Sequence, residues 1–241
     1  MPGSLAISPG TALGVNGPSD DPGHPPDGVG RREALKRVAV ALRTGGIGFA
    51  LAGGYAGWAL GGPEPENDVD FVVAEADAER AAEALTAAEL DVRHPPEDWL
   101  FKVYSDGALV DVLFRLAGVS VDGELLARAR EQEVLSVAMP VVDATDLLIG
   151  KLAALNEHAC DLAKVLPTAR ALREKIDWSR AEDATAWNDI AVACLFLLRR
   201  IGVAPQVEHA EHRVDHRPDH QVDRADHRPC HHPDHSAPRD R

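Results

Sequence analysis

Asp68-Val69-Asp70 is the acidic pair in the chain whose spacing best suits chemistry. In an extended strand, residues i and i+2 project to one face, so the two carboxylates point together while Val69 turns toward a core. Carboxylates side by side repel unless a cation lies between them, and Mg²⁺, with its preference for oxygen ligands, suits that role. A solvated pair at a strand start, following the turn residue Asn67, is the plainer alternative. Upstream, an apolar run gives way to Gly53-Gly54. A glycine pair at a strand end lets backbone amides approach a phosphate closely; it also makes a tight strand-to-helix turn with no ligand. A glycine turn facing a metal-binding dyad points to a site for a metal-bound nucleoside triphosphate. A third acid, Asp111, lies among Leu109, Val110, Val112, Leu113 and Phe114. That setting marks a central strand, where a carboxylate is costly unless a metal ion or an acceptor hydroxyl satisfies it. On an edge strand Asp111 would simply face water. Lys102, Arg115 and Lys151 are the candidate triphosphate cations, and Lys151 is favoured because it sits between Ile149 and Leu152.

Gly53-Gly54-x-Ala56, Gly61 and the strand Asp68-Val69-Asp70-Phe71-Val72 together resemble the signature of the polymerase-β-type nucleotidyltransferase superfamily, over about residues 33–203. The likeness is to small bacterial nucleotidyltransferases, including the abortive-infection toxin group and its uncharacterised relatives, and more distantly to antibiotic adenylyltransferases. It implies an α+β fold, a nucleotidyltransferase-type mixed β-sheet flanked by helices and followed by a helical C-terminal region. It also implies a third carboxylate on a neighbouring strand, a place that Asp111 suits. Catalytic and metal-ligating roles for Asp68, Asp70 and Asp111, two Mg²⁺ ions, an NTP substrate, and nucleotide contacts from Gly53, Gly54 and Lys151 follow from the same resemblance. The toxin likeness adds an antitoxin as a candidate partner. His158 and Asp161 occupy the slot of a basic-acidic pair in those toxins, and a structural hydrogen bond suits His158 better than a role as catalytic base. The chain departs from the wider group at Glu64 and Glu66, where an Arg and a hydroxyl residue are usual; acids there weaken phosphate grip and count against a nucleic-acid acceptor.

Composition bounds the rest. The chain has 241 residues, 45% of them hydrophobic, enough for a buried core in one good-sized domain or two small ones. A net charge of −14 argues against extensive nucleic-acid binding, which Lys and Arg must carry. Cys160, Cys194 and Cys230 are odd in number and widely spaced, so no disulfide framework is implied. No signal-peptide pattern opens the sequence and no apolar run is long enough to span a bilayer, so the expectation is a cytoplasmic protein without a membrane partner.

The elements that must position these residues follow in order. Residues 1–30, rich in Gly, Pro and Ser, are expected to be disordered. A nucleotidyltransferase core over 31–142 follows. It begins with a helix at Arg31–Arg43, a strand at Ile47–Ala52, a short helix at Tyr55–Leu60 and the dyad strand Asp68–Ala74. A helix at Ala76–Glu89 and a short strand at Leu90–His94 come next. Trp99–Ser105 and Ala108–Arg115 make a hairpin across Asp106-Gly107, a two-residue turn signal. A short helix at Asp122–Arg130 and one strand at Glu133–Val142 complete the core. A helical region over 143–205 is predicted as Thr145–Leu155, His158–Leu172 and Ala186–Ile201, the last carrying Trp187, Ile190, Cys194, Leu197 and Ile201 in register. The tail over 206–241 holds eight of the 11 histidines with repeated Asp-His and Arg-Pro, buries no core, and is expected to be disordered.

Three readings follow. The first is metal-dependent transfer of a nucleoside monophosphate from an NTP to an acceptor hydroxyl on a small molecule, a protein or a tRNA. The second is a non-catalytic module that binds a nucleotide or a protein partner on the same fold. Three mutually repelling carboxylates kept together speak against it. The third, a plain α/β binding domain with no nucleotide involvement, gains if Asp111 lies away from the dyad.

Overall fold

The computed structural model describes residues 28–65, 68–116 and 119–206. The disorder expected of the N-terminal segment and the tail, and any role of Glu66, fall on residues outside these apart from a few at the edges. Leu35, Val38, Ala39 and Leu42 recur at helical spacing and are buried along α1 (Gly28–Thr44), which ends as Gly46 takes a φ of 67°. β1 (Phe49–Ala52) is buried throughout and runs straight into α2 (Gly53–Ala59). β2 (Val69–Val73) carries Asp70, and a 3₁₀ turn leads into α3 (Ala78–Ala87), with Ala81, Ala82 and Leu85 inward. β3 (Asp91–Arg93), β4 (Leu100–Ser105) and β5 (Ala108–Leu113) follow. Asp106 and Gly107, at φ 49° and 80°, join β4 to β5 with two left-handed residues, as Asp-Gly predicts. β6 (Arg115–Leu116) and β7 (Val119–Ser120) make a separate two-stranded ribbon.

α4 (Gly123–Arg128) starts at Asp122, whose carboxylate accepts from the Leu125 amide. β8 (Arg130–Val134) and β9 (Val137–Val141) precede α5 (Ala144–Ala153), capped by Asp143. α6 (Leu166–Leu172), α7 (Trp178–Thr185, capped by Asp177) and α8 (Asp189–Arg200, capped by Asn188) complete the chain's described part. The strands form one mixed sheet of order β3-β4-β5-β2-β1-β9-β8, parallel at β2–β5 and β1–β9 and antiparallel elsewhere. α1 packs on β4, β5 and α3, and α2 bridges β1 and β2 to α5. This is the mixed sheet flanked by helices, with a helical C-terminal region, that the resemblance implied. Charge ties α5 to α4 and to α7: Arg128 grips buried Asp146 through two nitrogens at 2.8 and 3.1 Å, and Arg180 spans Asp146 and Asp143 at 2.6 and 2.5 Å.

Several expected elements are corrected. The single strand at Glu133–Val142 is a hairpin, because Leu135 and Ser136 both take positive φ, 53° and 63°. Neither residue type announces such a turn. The helix expected over His158–Leu172 begins only at Leu166. Before it, the Asn156 carboxamide accepts from the His158 and Ala159 amides, and Asp161 caps a 3₁₀ turn at Leu162–Lys164. α7 was not foreseen. The last helix starts at Asp189 rather than Ala186, since the Asn188 side chain accepts from the Ile190 and Ala191 amides. Its buried stripe is Ala191, Cys194, Leu195 and Leu198; Trp187 and Ile201, expected inside, are exposed.

Candidate functional site

The sheet register assembles the site. Ala52 pairs with Asp70, Asp70 with Asp111, Asp111 with Lys102 and Lys102 with Arg93. Paired residues of neighbouring strands share a face, so these five form one row across β1, β2, β5, β4 and β3. Two acids stand at its centre and two bases beside them. Asp70 and Asp111, distant in sequence, are brought side by side, so the plain binding-domain reading does not gain the support that a separated Asp111 would have given it. Asp68 lies just before β2 and is exposed, whereas Asp70 and Asp111 are half-buried.

Gly53 is dictated by Asp70 itself. It takes a φ of 57°, and a Cβ there would lie 1.8 Å from Asp70 Oδ2. Any larger residue would displace the carboxylate. Gly54 is held similarly close to Pro65, at 2.7 Å from an added Cβ to the proline Cβ. α2 begins at this pair with no side-chain cap on its first-turn amides. The glycine pair therefore makes a tight strand-to-helix turn in which Gly53 lies directly against the Asp70 carboxylate.

Electrostatics follow from the crowding. Burial, then the charges of Asp111 and Asp68, raise the Asp70 carboxyl to about 7, with Lys151 and Lys102 opposing. Burial also raises Asp111, against the Lys102 ammonium, whose Nζ donates to Asp111 Oδ1 at 3.0 Å. Lys151, half-buried on α5, is lowered by burial, partly offset by attraction to Asp70. Arg115 serves elsewhere: it donates to Glu75 at 2.5 and 2.9 Å and to Asp98 at 3.0 Å. His158 is exposed, and its backbone amide donates to Asn156.

Among the described residues no three His, Cys, Asp or Glu side chains converge as a ready metal cage. The residues present still fit Mg²⁺ in kind. Mg²⁺ is ordinarily held by one or two carboxylates together with substrate phosphates and water, and the paired oxygen donors of Asp70 and Asp111 are of that kind. Nothing else in the row neutralises Asp70 by direct contact.

The Lys102–Asp111 pair was readable in advance. A two-residue turn at Asp106-Gly107 sets Ser105 opposite Ala108, and counting outward puts Lys102 opposite Asp111. Arg93 had no such signal, because β3 joins the sheet through a longer connection. No helix among the described residues is long and apolar enough to cross a membrane.

Residues 31–189 match the protein family described as nucleotidyl transferase of unknown function (DUF2204). No curated protein matches the chain. Among solved structures, the antibiotic-resistance factor ANT(2'')-Ia in solution is 11% identical, with a TM-score of 0.50, covering 70% of this chain and 97% of that one. The lincosamide antibiotic adenylyltransferase LnuA is 10% identical at a TM-score of 0.40, covering 56% and 94%. An antigenic nucleotidyltransferase-like protein from Paracoccidioides brasiliensis is 12% identical at 0.44, covering 70% and 93%. At such identities the likeness to ANT(2'')-Ia is one of fold.

Proposed function

The chain belongs to this nucleotidyl transferase family, and from that membership we propose that it moves a nucleoside monophosphate from an NTP to an acceptor hydroxyl, releasing pyrophosphate. The observation that carries the reading is the side-by-side register of Asp70 and Asp111, with Asp70 seated against Gly53. Asp68, Asp70 and Asp111 would hold Mg²⁺, as two ions in the manner the superfamily resemblance implies. Bound there, Mg²⁺ would neutralise charge building on the phosphates in the transition state.

The chain's own groups do the rest. Asp111 takes the proton of the acceptor hydroxyl as that oxygen bonds to the α-phosphorus and the bond to pyrophosphate breaks. Burial raises its pKa above the ordinary carboxylate value, which makes it a stronger base than an exposed aspartate. Freeing Asp111 for that task requires Lys102 to turn away, and the ammonium is then available to a phosphate. Gly53 and Gly54 amides donate to the triphosphate, and Lys151 adds positive charge on the Asp70 side. In this reading residues 31–142 carry the reaction and 143–205 supply Lys151 and shape the acceptor side, in the cytoplasm.

The acceptor favoured is a small-molecule hydroxyl. Exposed Glu97 adds negative charge near Asp111, and the chain's net charge is −14; both repel a tRNA backbone. A protein hydroxyl is the next choice, and with it a toxin-like role restrained by an antitoxin. The test incubates the full chain with each α-labelled NTP, Mg²⁺ and cell extract, with Asp70→Asn as control. Label should enter a small-molecule fraction only with the intact carboxylate. Mg²⁺-dependent NTP binding without transfer would favour the non-catalytic module, and label in tRNA would overturn the choice of acceptor.

A further inference from the structure

α8 carries a solvent-facing stripe that the described fold leaves uncovered. Trp187, Val192, Phe196 and Ile201, on or beside this helix, are 63%, 46%, 62% and 44% exposed. At helical spacing Asp189, Val192, Ala193, Phe196 and Arg200 share one face, and all five are exposed. Along the helix the stripe therefore runs from an acid through apolar residues to a base. Neither Asp189 nor Arg200 forms a salt bridge with another described residue.

We propose that α8 packs antiparallel against α8 of a second copy of this chain, about a two-fold axis. The stripe is self-complementary under that operation and under no parallel arrangement. Asp189 of each copy meets Arg200 of the other. Phe196 lies over Ala193, a large side chain against a small one, and Trp187 reaches the region of Ile201. The antiparallel arrangement also places each helix N-terminus beside the other's C-terminus. Isologous pairing of one patch with itself is the commonest form of a homodimer. Aromatic side chains bury about 150–250 Å² each, so at the exposures above Trp187 and Phe196 contribute roughly 500 Å² to a pair of copies. Val192, Ala193 and the flanking Asp189 and Arg200 supply the remainder of the about 1,000 Å² that a specific interface requires.

The chain's own tail is a poor occupant of the stripe. Residues 207–241 contain no Leu, Ile, Met, Phe, Tyr or Trp, so they offer nothing to cover Trp187 and Phe196. The dimer does not depend on nucleotidyl transfer.

Sedimentation velocity of the full chain over a concentration series tests the proposal. We expect a concentration-dependent dimer, abolished by Phe196→Glu and weakened at least tenfold in Kd by Asp189→Lys. The double exchange Asp189→Lys/Arg200→Glu should restore dimerisation, because it rebuilds the same complementarity with signs reversed. Circular dichroism melts report whether each variant folds, and the double exchange keeps the test sharp if Phe196→Glu does not. A chain that stays monomeric, or a dimer indifferent to Phe196→Glu in a folded variant, overturns the proposal. So does a chain that dimerises only after residues 207–241 are deleted, which would show that the tail occupies the stripe.

Discussion

Asp70→Asn should make the metal-free protein more stable, although it removes a central group of the site. The Asp70 carboxyl is raised from an ordinary 3.8 to about 7, chiefly by burial and then by Asp111 and Asp68. A folded-state pKa above the unfolded one means that the native state holds a proton which the unfolded chain has already lost. Asp70 therefore costs nothing below about pH 3.8, and its cost grows as the pH climbs to about 7, where it levels off. At about 1.4 kcal/mol per pH unit the full displacement is worth about 4 kcal/mol. The carboxylate is only half-buried, so solvent screening reduces this, and about 2 kcal/mol at pH 8 is the expected gain from a neutral amide of the same shape. For a domain of this size that is a rise in Tm of about 4–8 °C. The assay is thermal unfolding in EDTA at pH 8 and pH 5, where the gain should shrink to under about 1 kcal/mol. Mg²⁺ added at pH 8 should raise the Tm of the wild type and not of Asp70→Asn. An unchanged or lower Tm for Asp70→Asn at pH 8, in a folded protein, would refute the claim that burial and the neighbouring carboxylates make the Asp70 charge costly.

Two further outcomes follow from contacts already described. Gly53→Ala places a Cβ on Asp70 Oδ2 and asks an L-residue to hold positive φ, at about 1 kcal/mol for the backbone alone; Tm and turnover should both fall, and adding Asp70→Ala should recover Tm but not turnover. Arg180→Met leaves buried Asp146 to Arg128 alone and should cost about 1–3 kcal/mol, whereas Arg128→Met with Arg180→Met strands a buried carboxylate and should cost more than the two single changes together, read from denaturant midpoints.

The sequence by itself determined whatever is local. Asp-Gly at 106–107 sets a two-residue turn because its residues accept positive φ, and that turn fixes Lys102 opposite Asp111. Asp143 announces the start of α5 because its side chain reaches the next amides. The alternation of β2 and β5 put Asp70 and Asp111 on strands, and the resemblance named them as one set. Only the tertiary structure decided that the two strands are parallel neighbours in equal register, since that pairing is made across intervening elements whose packing no short window contains. Gly53 shows the same division. Its presence was visible, but the reason for it, a carboxylate from another strand in the space of its Cβ, exists only in three dimensions. The missed features share a cause. Leu135-Ser136 turns with residues that do not advertise a turn, and Asn188 resets the start of α8, which moves Trp187 from the expected core stripe to the surface. Helical periodicity gives a stripe only once the first residue of the helix is known, and a capping side chain competing for backbone amides fixes that residue.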